Sequence, residues 1–168
     1  IRNKGKNPHL LTMTATPIPR TIALTLYGDL DLSVLDEMPI GRKKIKTWLV
    51  SLEKREKAYK WIENQIVKTK SQTFIVCPFI EESESMQTVK AAAVEYERLR
   101  KDIFPDLRLG LLHGRMRPKE KDAVLLEFRE KKHDILVATP VVEVGIDIPN
   151  ATIILIEASE RFGLAQLH

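Results

Sequence analysis

The chain has 168 residues, of which 43% are hydrophobic and 30% charged, and these are the proportions of one ordinary globular domain rather than a fibrous or low-complexity chain. No apolar run predicts a membrane span, and a single cysteine excludes an internal disulfide. The net charge of +4 fits a lysine-rich solvated surface, which charge alone favours, or contact with a polyanion.

The amino-terminal part of the chain carries a weak pattern. Residues 10–14 form a short apolar run that predicts a strand, and residues 20–27 have a short helical periodicity. Acids, prolines and glycines interrupt residues 28–42, which predicts a connection and the most plausible domain boundary.

After residue 41, predicted strands and helices alternate regularly. Strands are predicted at residues 46–50, 73–77, 107–112, 135–139 and 152–156. The first helix follows a candidate capping residue, Ser51, and one of its faces carries Ala58, Trp61, Ile62 and Ile66. The second is capped by Ser83, and the third begins at Pro118 and buries Val124, Leu125 and Phe128.

This alternation predicts βαβ units and a parallel sheet. The near-continuous apolar runs at residues 73–77 and 152–156 are typical of strands covered by helices on both faces. We therefore predict an α/β fold in which right-handed crossovers build a doubly wound layer.

Polar residues concentrate where predicted strands end. Residues 135–151 indicate a buried strand that stops at Thr139, followed by a loop with Glu143, Gly145 and Asp147. Open parallel sheets bind their ligands at this carboxyl edge, so the loop predicts part of a ligand site. His113 follows the preceding strand, and the arginines beside it precede a helix N-terminus, which together predict an anion site.

Several motifs, in order, resemble those of the RecG family of superfamily 2 DNA helicases. They are TATPIPRT at residues 14–21 followed by YGDLDLS, HGRM at 113–116, EVGIDIPNA at 143–151 and ERFGLAQLH at 160–168. Together they extend over essentially the whole chain. The Mfd translocases share TATPIPRT and the FGLAQLH ending, whereas residues 27–39 are more similar to RecG.

The resemblance implies a two-lobed motor with ATP in the cleft between RecA-like lobes. Residues 1–40 would be the tail of the first lobe with the interlobe linker, and residues 41–168 an incomplete second lobe. The sequence contains no GxxxxGK[S/T] phosphate loop, no acidic magnesium motif and no final arginine-finger motif. We therefore expect ATP and Mg²⁺ to act in the full-length protein, with neither bound to the fragment, and no catalytic residue or activity in the fragment alone.

The resemblance also implies roles at the nucleotide side. Glu143, Gly145 and Asp147 would face the ATP cleft, although Asp147 also fits a plain turn and Glu143 a solvated loop acid. Residues that couple nucleotide state to lobe movement would be Thr14, Ala15, Thr16 and Arg20. The threonines also fit a turn cap, and Arg20 fits a salt bridge or a DNA phosphate contact equally well.

The DNA side follows from the same resemblance. His113, Gly114 and Arg115 would track the DNA backbone, with Pro78 as a weaker candidate, and Thr139 would contact a phosphate through its hydroxyl and an exposed N–H group. The sequence departs from the family where Pro140 replaces a second threonine and removes a backbone donor.

We therefore predict part of the motor of an ATP-dependent helicase or translocase. Its substrate would be branched or forked DNA in replication-fork repair and recombination. The motor would be a monomer in the bacterial cytoplasm, with no membrane partner and no bound structural metal. Two alternatives are an Mfd-like motor lobe and a non-motor α/β binding domain.

Overall fold

The computed structural model describes residues 44–78, 86–140 and 147–163, together with Leu11, Met13, residues 33–35, Glu37 and Leu167. The chain divides into two compact units, one of Ile1–Thr47 with Gly163–His168 and the other of Trp48–Phe162. The elements predicted at residues 10–14 and 20–27 lie almost entirely outside the described residues.

The second unit contains three α-helices and four strands among its described residues. In chain order these are α1 (Arg55–Thr69), β1 (Gln72–Val76), α2 (Met86–Arg98), β2 (Leu109–Leu112), α3 (Pro118–Arg129), β3 (Ile135–Ala138) and β4 (Ala151–Ile156). A 3₁₀ turn at Leu52–Lys54 precedes α1, a π-helical turn at Leu99–Ile103 continues α2, and a 3₁₀ turn at Ser159–Arg161 follows β4. Within the described part of the chain, no helix is long and apolar enough to cross a membrane.

The four strands form one parallel sheet in the order β2-β3-β1-β4. Ala138 at the end of β3 pairs with Val76 in β1 and with Leu112 in β2, and Val76 also pairs with Ile156 in β4. All four strands therefore end together. We call this end the carboxyl edge and the opposite end the amino edge.

Helices cover both faces of the sheet because successive strand residues point to opposite sides. Ile75 and Val137 belong to a core that includes Tyr59, Ile62 and Ile66 of α1. On the other face, Leu136 and Ala138 belong to a second core with Phe128 of α3. The predicted α/β fold with a parallel sheet covered on both faces is confirmed.

Residues 46–50 do not form the predicted strand. They have no regular secondary structure and pair with no strand among the described residues, and Leu49 is 93% exposed. The prediction was based on the apolar residues of this segment. A strand also needs a neighbouring strand for its backbone hydrogen bonds, and the apolar pattern does not show whether one is present. Trp48 packs instead edge-to-face against Trp61, with ring centroids 6.1 Å apart.

The first helix also differs from its prediction. It begins at Arg55, and Ser51 makes no side-chain cap. Its buried stripe is Tyr59, Ile62 and Ile66, with spacings of three and four residues that place all three on one face. Trp61 lies beside that stripe and is 45% exposed.

Candidate functional site

Three of the predicted DNA-contacting residues lie at the carboxyl edge, each just after a strand. His113 follows β2, Thr139 follows β3, and Pro78 follows β1 by one intervening residue. The Thr139 N–H group donates to the carbonyl of Leu112 at 3.1 Å, which ties the ends of β3 and β2 together. The order of the strands therefore places His113, Thr139 and Pro78 along one edge in that order.

Thr139 differs from its prediction in one respect. The N–H group expected to be exposed is already used in the bond to Leu112, so it is not open to a phosphate. The residue is 1% exposed, and its hydroxyl has no hydrogen-bond partner among the described residues. Burying a hydroxyl without a hydrogen bond lowers the stability of the fold. The Thr139 hydroxyl is therefore a candidate donor to a ligand.

His113 begins a tight turn. Its carbonyl accepts the N–H group of Met116 at 3.2 Å, and its own N–H group contacts the Met116 sulfur at 3.4 Å. Its buried Nδ1 has no partner among the described residues. Burial lowers the pKa of His113 from 6.5, Lys121 lowers it further, and Glu120 partly opposes the shift. The ring is therefore mostly neutral at neutral pH and offers polar atoms rather than a fixed charge.

The predicted anion site at the start of α3 is partly filled by the helix itself. The Glu120 carboxylate accepts the Arg117 N–H group at 2.8 Å, as in a capping box. A negative side chain therefore occupies part of the N-terminal region where an anion would bind. Gly114 belongs to the turn that precedes the helix, and Arg115 and Arg117 are exposed, so cationic side chains still border this end of the sheet.

Of the three predicted ATP-cleft residues, the structure describes only Asp147. Its side chain is exposed and takes part in no described hydrogen bond or ion pair, while the next residue, Ile148, is anchored in the core beside α3. Glu143 and Gly145 lie outside the described residues. The same holds for the predicted coupling residues Thr14, Ala15, Thr16 and Arg20.

A polar cluster at the end of β4 was not predicted from the sequence. Tyr59 donates a short hydrogen bond to Glu157. Arg55 contacts Tyr59 at 2.8 Å and Glu157 at 2.9 Å, and Arg98 contacts Tyr59 at 3.2 Å and Glu95 at 2.6 Å. We call these five residues the β4-end cluster. The spacings of four residues in α1 and three in α2 were visible signals, but Glu157 is 98 positions from Tyr59.

Burial and neighbouring charges shift the pKa values of Tyr59 and Glu95 in the β4-end cluster and of Cys77 beside it. Burial and the Glu157 carboxylate raise the pKa of Tyr59 to about 12, so its hydroxyl stays a donor at neutral pH. Hydrogen bonding to Arg98 lowers the pKa of Glu95 despite burial. Burial, with the nearby carboxylates, also raises the pKa of the Cys77 thiol to about 12, so this buried cysteine stays protonated.

At the amino edge, the described side chains of Gln72 and Asn150 are paired, unlike the hydroxyl of Thr139. Gln72, which is 2% exposed, donates to the carbonyls of Phe128 at 2.6 Å and His133 at 2.7 Å. Asn150, part of the recognised EVGIDIPNA motif, donates to the carbonyl of Lys70 and to the Gln72 side chain. Asn150 is therefore a structural residue at the start of β4.

Comparisons with known proteins agree with the motif analysis. Residues 53–167 match the family model of the helicase conserved C-terminal domain. The chain is 52% identical to the ATP-dependent DNA helicase RecG of Thermotoga maritima over 168 residues, which are 100% of this chain and 21% of that protein. It is 46% identical to the ATP-dependent DNA helicase RecG of Escherichia coli over 167 residues, 99% of this chain and 24% of that protein.

Among solved structures, the helicase domain of Pyrococcus furiosus Hef is similar with a TM-score of 0.46 and 24% identity, over 61% of this chain and 19% of that one. The chain spans about a fifth to a quarter of the length of the curated relatives it matches. The predicted resemblance to RecG-type helicases is confirmed by relatives that match from end to end. With more than half of its residues matched by the family model, the chain belongs to the family of the helicase conserved C-terminal domain.

Proposed function

We propose that this chain is part of the motor of an ATP-dependent DNA helicase. Residues 41–168 would form most of its second RecA-like lobe, and residues 1–40 the end of the first lobe with the linker. The relatives named as ATP-dependent DNA helicases support this proposal, because they match over the whole chain. The observation that carries it is the carboxyl edge, where His113 and Thr139 each leave a buried polar atom without a partner among the described residues.

The carboxyl edge has suitable dimensions for one nucleic-acid strand. Neighbouring strands lie about 4.8 Å apart, so the ends of β2 and β1 are separated by roughly 10 Å. This distance corresponds to about three nucleotides at the rise of a B-form strand. The hydroxyl of Thr139 would donate to a phosphate oxygen, and the cation Arg115 would add a charge-assisted contact. Such contacts read the backbone and not the bases, as a translocating motor requires.

ATP, with Mg²⁺, would supply the free energy that moves the lobes when it is hydrolysed. Asp147 is suited to contact the ATP ribose. Its carboxylate is exposed, forms no described hydrogen bond or ion pair, and can accept a hydrogen bond from a sugar hydroxyl. Glu143 and Gly145 would complete this side of the cleft. The 168 residues contain no phosphate-loop sequence, so we expect no DNA-stimulated ATPase activity from this chain alone.

The remaining parts of the proposal concern the whole motor. Its substrate would be branched or forked DNA during fork repair and recombination, and it would act as a monomer in the bacterial cytoplasm. Thr14, Ala15, Thr16 and Arg20 would transmit the nucleotide state between lobes. Binding of forked and linear oligonucleotides at equal charge distinguishes the branched preference from plain backbone affinity.

The direct test is a salt titration of DNA binding, measured by fluorescence anisotropy with a labelled oligonucleotide. Neutralisation of two or three phosphates by cationic side chains predicts, for a single-stranded oligonucleotide, a slope of about −1.4 to −2.1 in a plot of log affinity against log salt concentration. An affinity that does not change between about 50 and 200 mM salt would contradict phosphate contact. The same preparation, mixed with ATP and DNA, should release no phosphate above a blank.

A further inference from the structure

The β4-end cluster lies where the chain leaves the sheet. The N–H group of Glu157 donates to the carbonyl of Val76 at 2.9 Å, which is the last bond between β4 and β1. The Glu157 side chain turns into the cluster, where it is 14% exposed and contacts Tyr59 and Arg55. Helix α1 therefore fixes Glu157 through its side chain while the sheet fixes it through its backbone.

The residue after Glu157 adopts a disfavoured backbone conformation. Ala158 has φ 47° and ψ 51°, in the left-handed region, although it has a Cβ atom. Such a conformation is disfavoured for a residue other than glycine, and it persists only where the surroundings enforce it. The firmly held Glu157 on one side and the following 3₁₀ turn on the other provide that enforcement.

The turn after Ala158 presents a cation at the carboxyl edge. The N–H group of Arg161 donates to the carbonyl of Ala158 at 3.0 Å, and that of Phe162 donates to Ser159 at 3.1 Å. Arg161 is exposed, and no described ion pair uses its guanidinium group. Because the strand order is β2-β3-β1-β4, this turn lies beyond Pro78 on the same line of strand ends as His113 and Thr139.

We propose that Glu157 is a positioning residue, and that the β4-end cluster holds the turn at residues 158–162 so that Arg161 contacts a nucleic-acid phosphate. The identity of the ligand, a nucleic-acid phosphate, rests on the proposed function, whereas the positioning role of Glu157 rests on the observed contacts. The cluster itself has two arginines and two glutamates, which balance each other. Within the described turn, Arg161 is a cation that no described ion pair uses, and the cluster adds no net charge that would compete for the phosphate.

The positioning role is tested by hydrogen exchange in the 168-residue chain. In Glu157→Gln and Tyr59→Phe, the amides of Arg161 and Phe162 should exchange about tenfold faster than in the parent chain, because the turn opens locally. Asp134→Asn is the matched control, since it breaks a two-bond ion pair with Arg108 at the amino edge. The role of Glu157 is overturned if the exchange rates of these two amides are unchanged in both cluster variants. It is also overturned if the control variant accelerates them equally.

The ligand contact is tested separately with a short single-stranded DNA oligonucleotide. Arg161→Gln should weaken binding about three- to tenfold and reduce the magnitude of the salt slope by about one, as expected for one lost phosphate. Glu157→Gln should give a smaller loss in the same direction. Unchanged affinity in Arg161→Gln overturns the contact. A parent chain that binds no oligonucleotide overturns the proposed function and this contact together, whereas the amide exchange still decides the role of Glu157.

Discussion

The two edges of the sheet both carry polar residues but differ in how many of the buried polar groups are hydrogen-bonded. At the amino edge, Gln72 and Asn150 bond to backbone carbonyls and to each other, and Arg108 forms two bonds with Asp134. At the carboxyl edge, the hydroxyl of Thr139 and Nδ1 of His113 are buried without partners among the described residues. The described polar side chains of the amino edge are thus paired within the protein, whereas two buried polar atoms of the carboxyl edge have no partner among the described residues.

Thr73 limits how far this contrast extends. Its hydroxyl is also buried without a described partner, but it lies within β1 and is 0% exposed. The two hydroxyls are equally buried and differ in position, because Thr73 lies inside the sheet and Thr139 follows the last residue of β3. The proposed function assigns a ligand to Thr139 alone, because parallel sheets bind ligands beyond the carboxyl ends of their strands. This distinction leads to different expectations for chemically identical substitutions.

The largest expected effect is at the amino edge, in Gln72→Leu. The substitution leaves the carbonyls of Phe128 and His133 without this donor, and we expect it to lower the free energy of unfolding by about 2–4 kcal/mol. Urea denaturation measures the loss, and Gln65→Leu on the partly exposed side of α1 is the control for side-chain chemistry. DNA affinity per folded molecule should stay unchanged. If fully folded Gln72→Leu bound DNA more weakly than the parent, the amino edge would also contribute to DNA binding, and the proposed difference between the edges would be wrong.

Gly110→Ala tests packing in β2. The new Cβ atom would lie 2.9 Å from Cδ2 of His133 and 3.2 Å from a methyl carbon of Leu136. We expect an overpacking cost of about 2 kcal/mol in thermal or urea unfolding. The cost should shrink in a His133→Ala background, because the ring that meets the new methyl group is then absent. An equal cost in both backgrounds would show that the contact with His133 is not its cause.

Thr139→Val and Thr73→Val form a matched pair that separates the edge from the sheet interior. Each removes a buried, unpaired hydroxyl and keeps the side-chain shape, so both should leave stability unchanged or raise it by about 1 kcal/mol. Only Thr139→Val should weaken DNA binding, by about tenfold for one lost charge-assisted hydrogen bond. Equal DNA affinity in the two variants would remove Thr139 from the interface.

The smallest expected effect is a change in pH dependence at His113. Its pKa is lowered in the folded state, so near pH 6.5 the unfolded chain binds more protons, and stability present above that pH is lost as pH falls. His113→Gln should flatten this decline between neutral pH and about pH 6, as measured by urea unfolding at each pH. His133→Gln controls for the loss of one imidazole at the amino edge. If the free energy of unfolding of His113→Gln falls as steeply with decreasing pH as that of the parent, other groups cause the decline.

Much of the sheet was predictable because parallel strands buried on both faces have nearly continuous apolar sequences. The endpoints of β1, β3 and β4 lie within one residue of the predicted ends. Residues 46–50 have a similar apolar character but no partner strand among the described residues, and sequence patterns do not report a partner.

The site was predictable only as a location. Strand ends identified His113, Thr139 and Pro78, since the carboxyl ends of parallel strands meet at one edge. The sequence did not show that the Thr139 N–H group is bonded to Leu112, because that depends on the register of β2 and β3. Nor did it show the β4-end cluster, whose partners are far apart in sequence.

The most direct test of the central claim uses two substitutions of equal charge. Arg115→Gln changes the carboxyl edge and Arg108→Gln the amino edge, and both remove one exposed cation. In salt titrations followed by anisotropy, Arg115→Gln should lower DNA affinity and reduce the magnitude of the salt slope by about one, while Arg108→Gln leaves both near the parent values. Equal losses in the two variants would show that net charge alone binds DNA, and would contradict a DNA interface at the carboxyl edge.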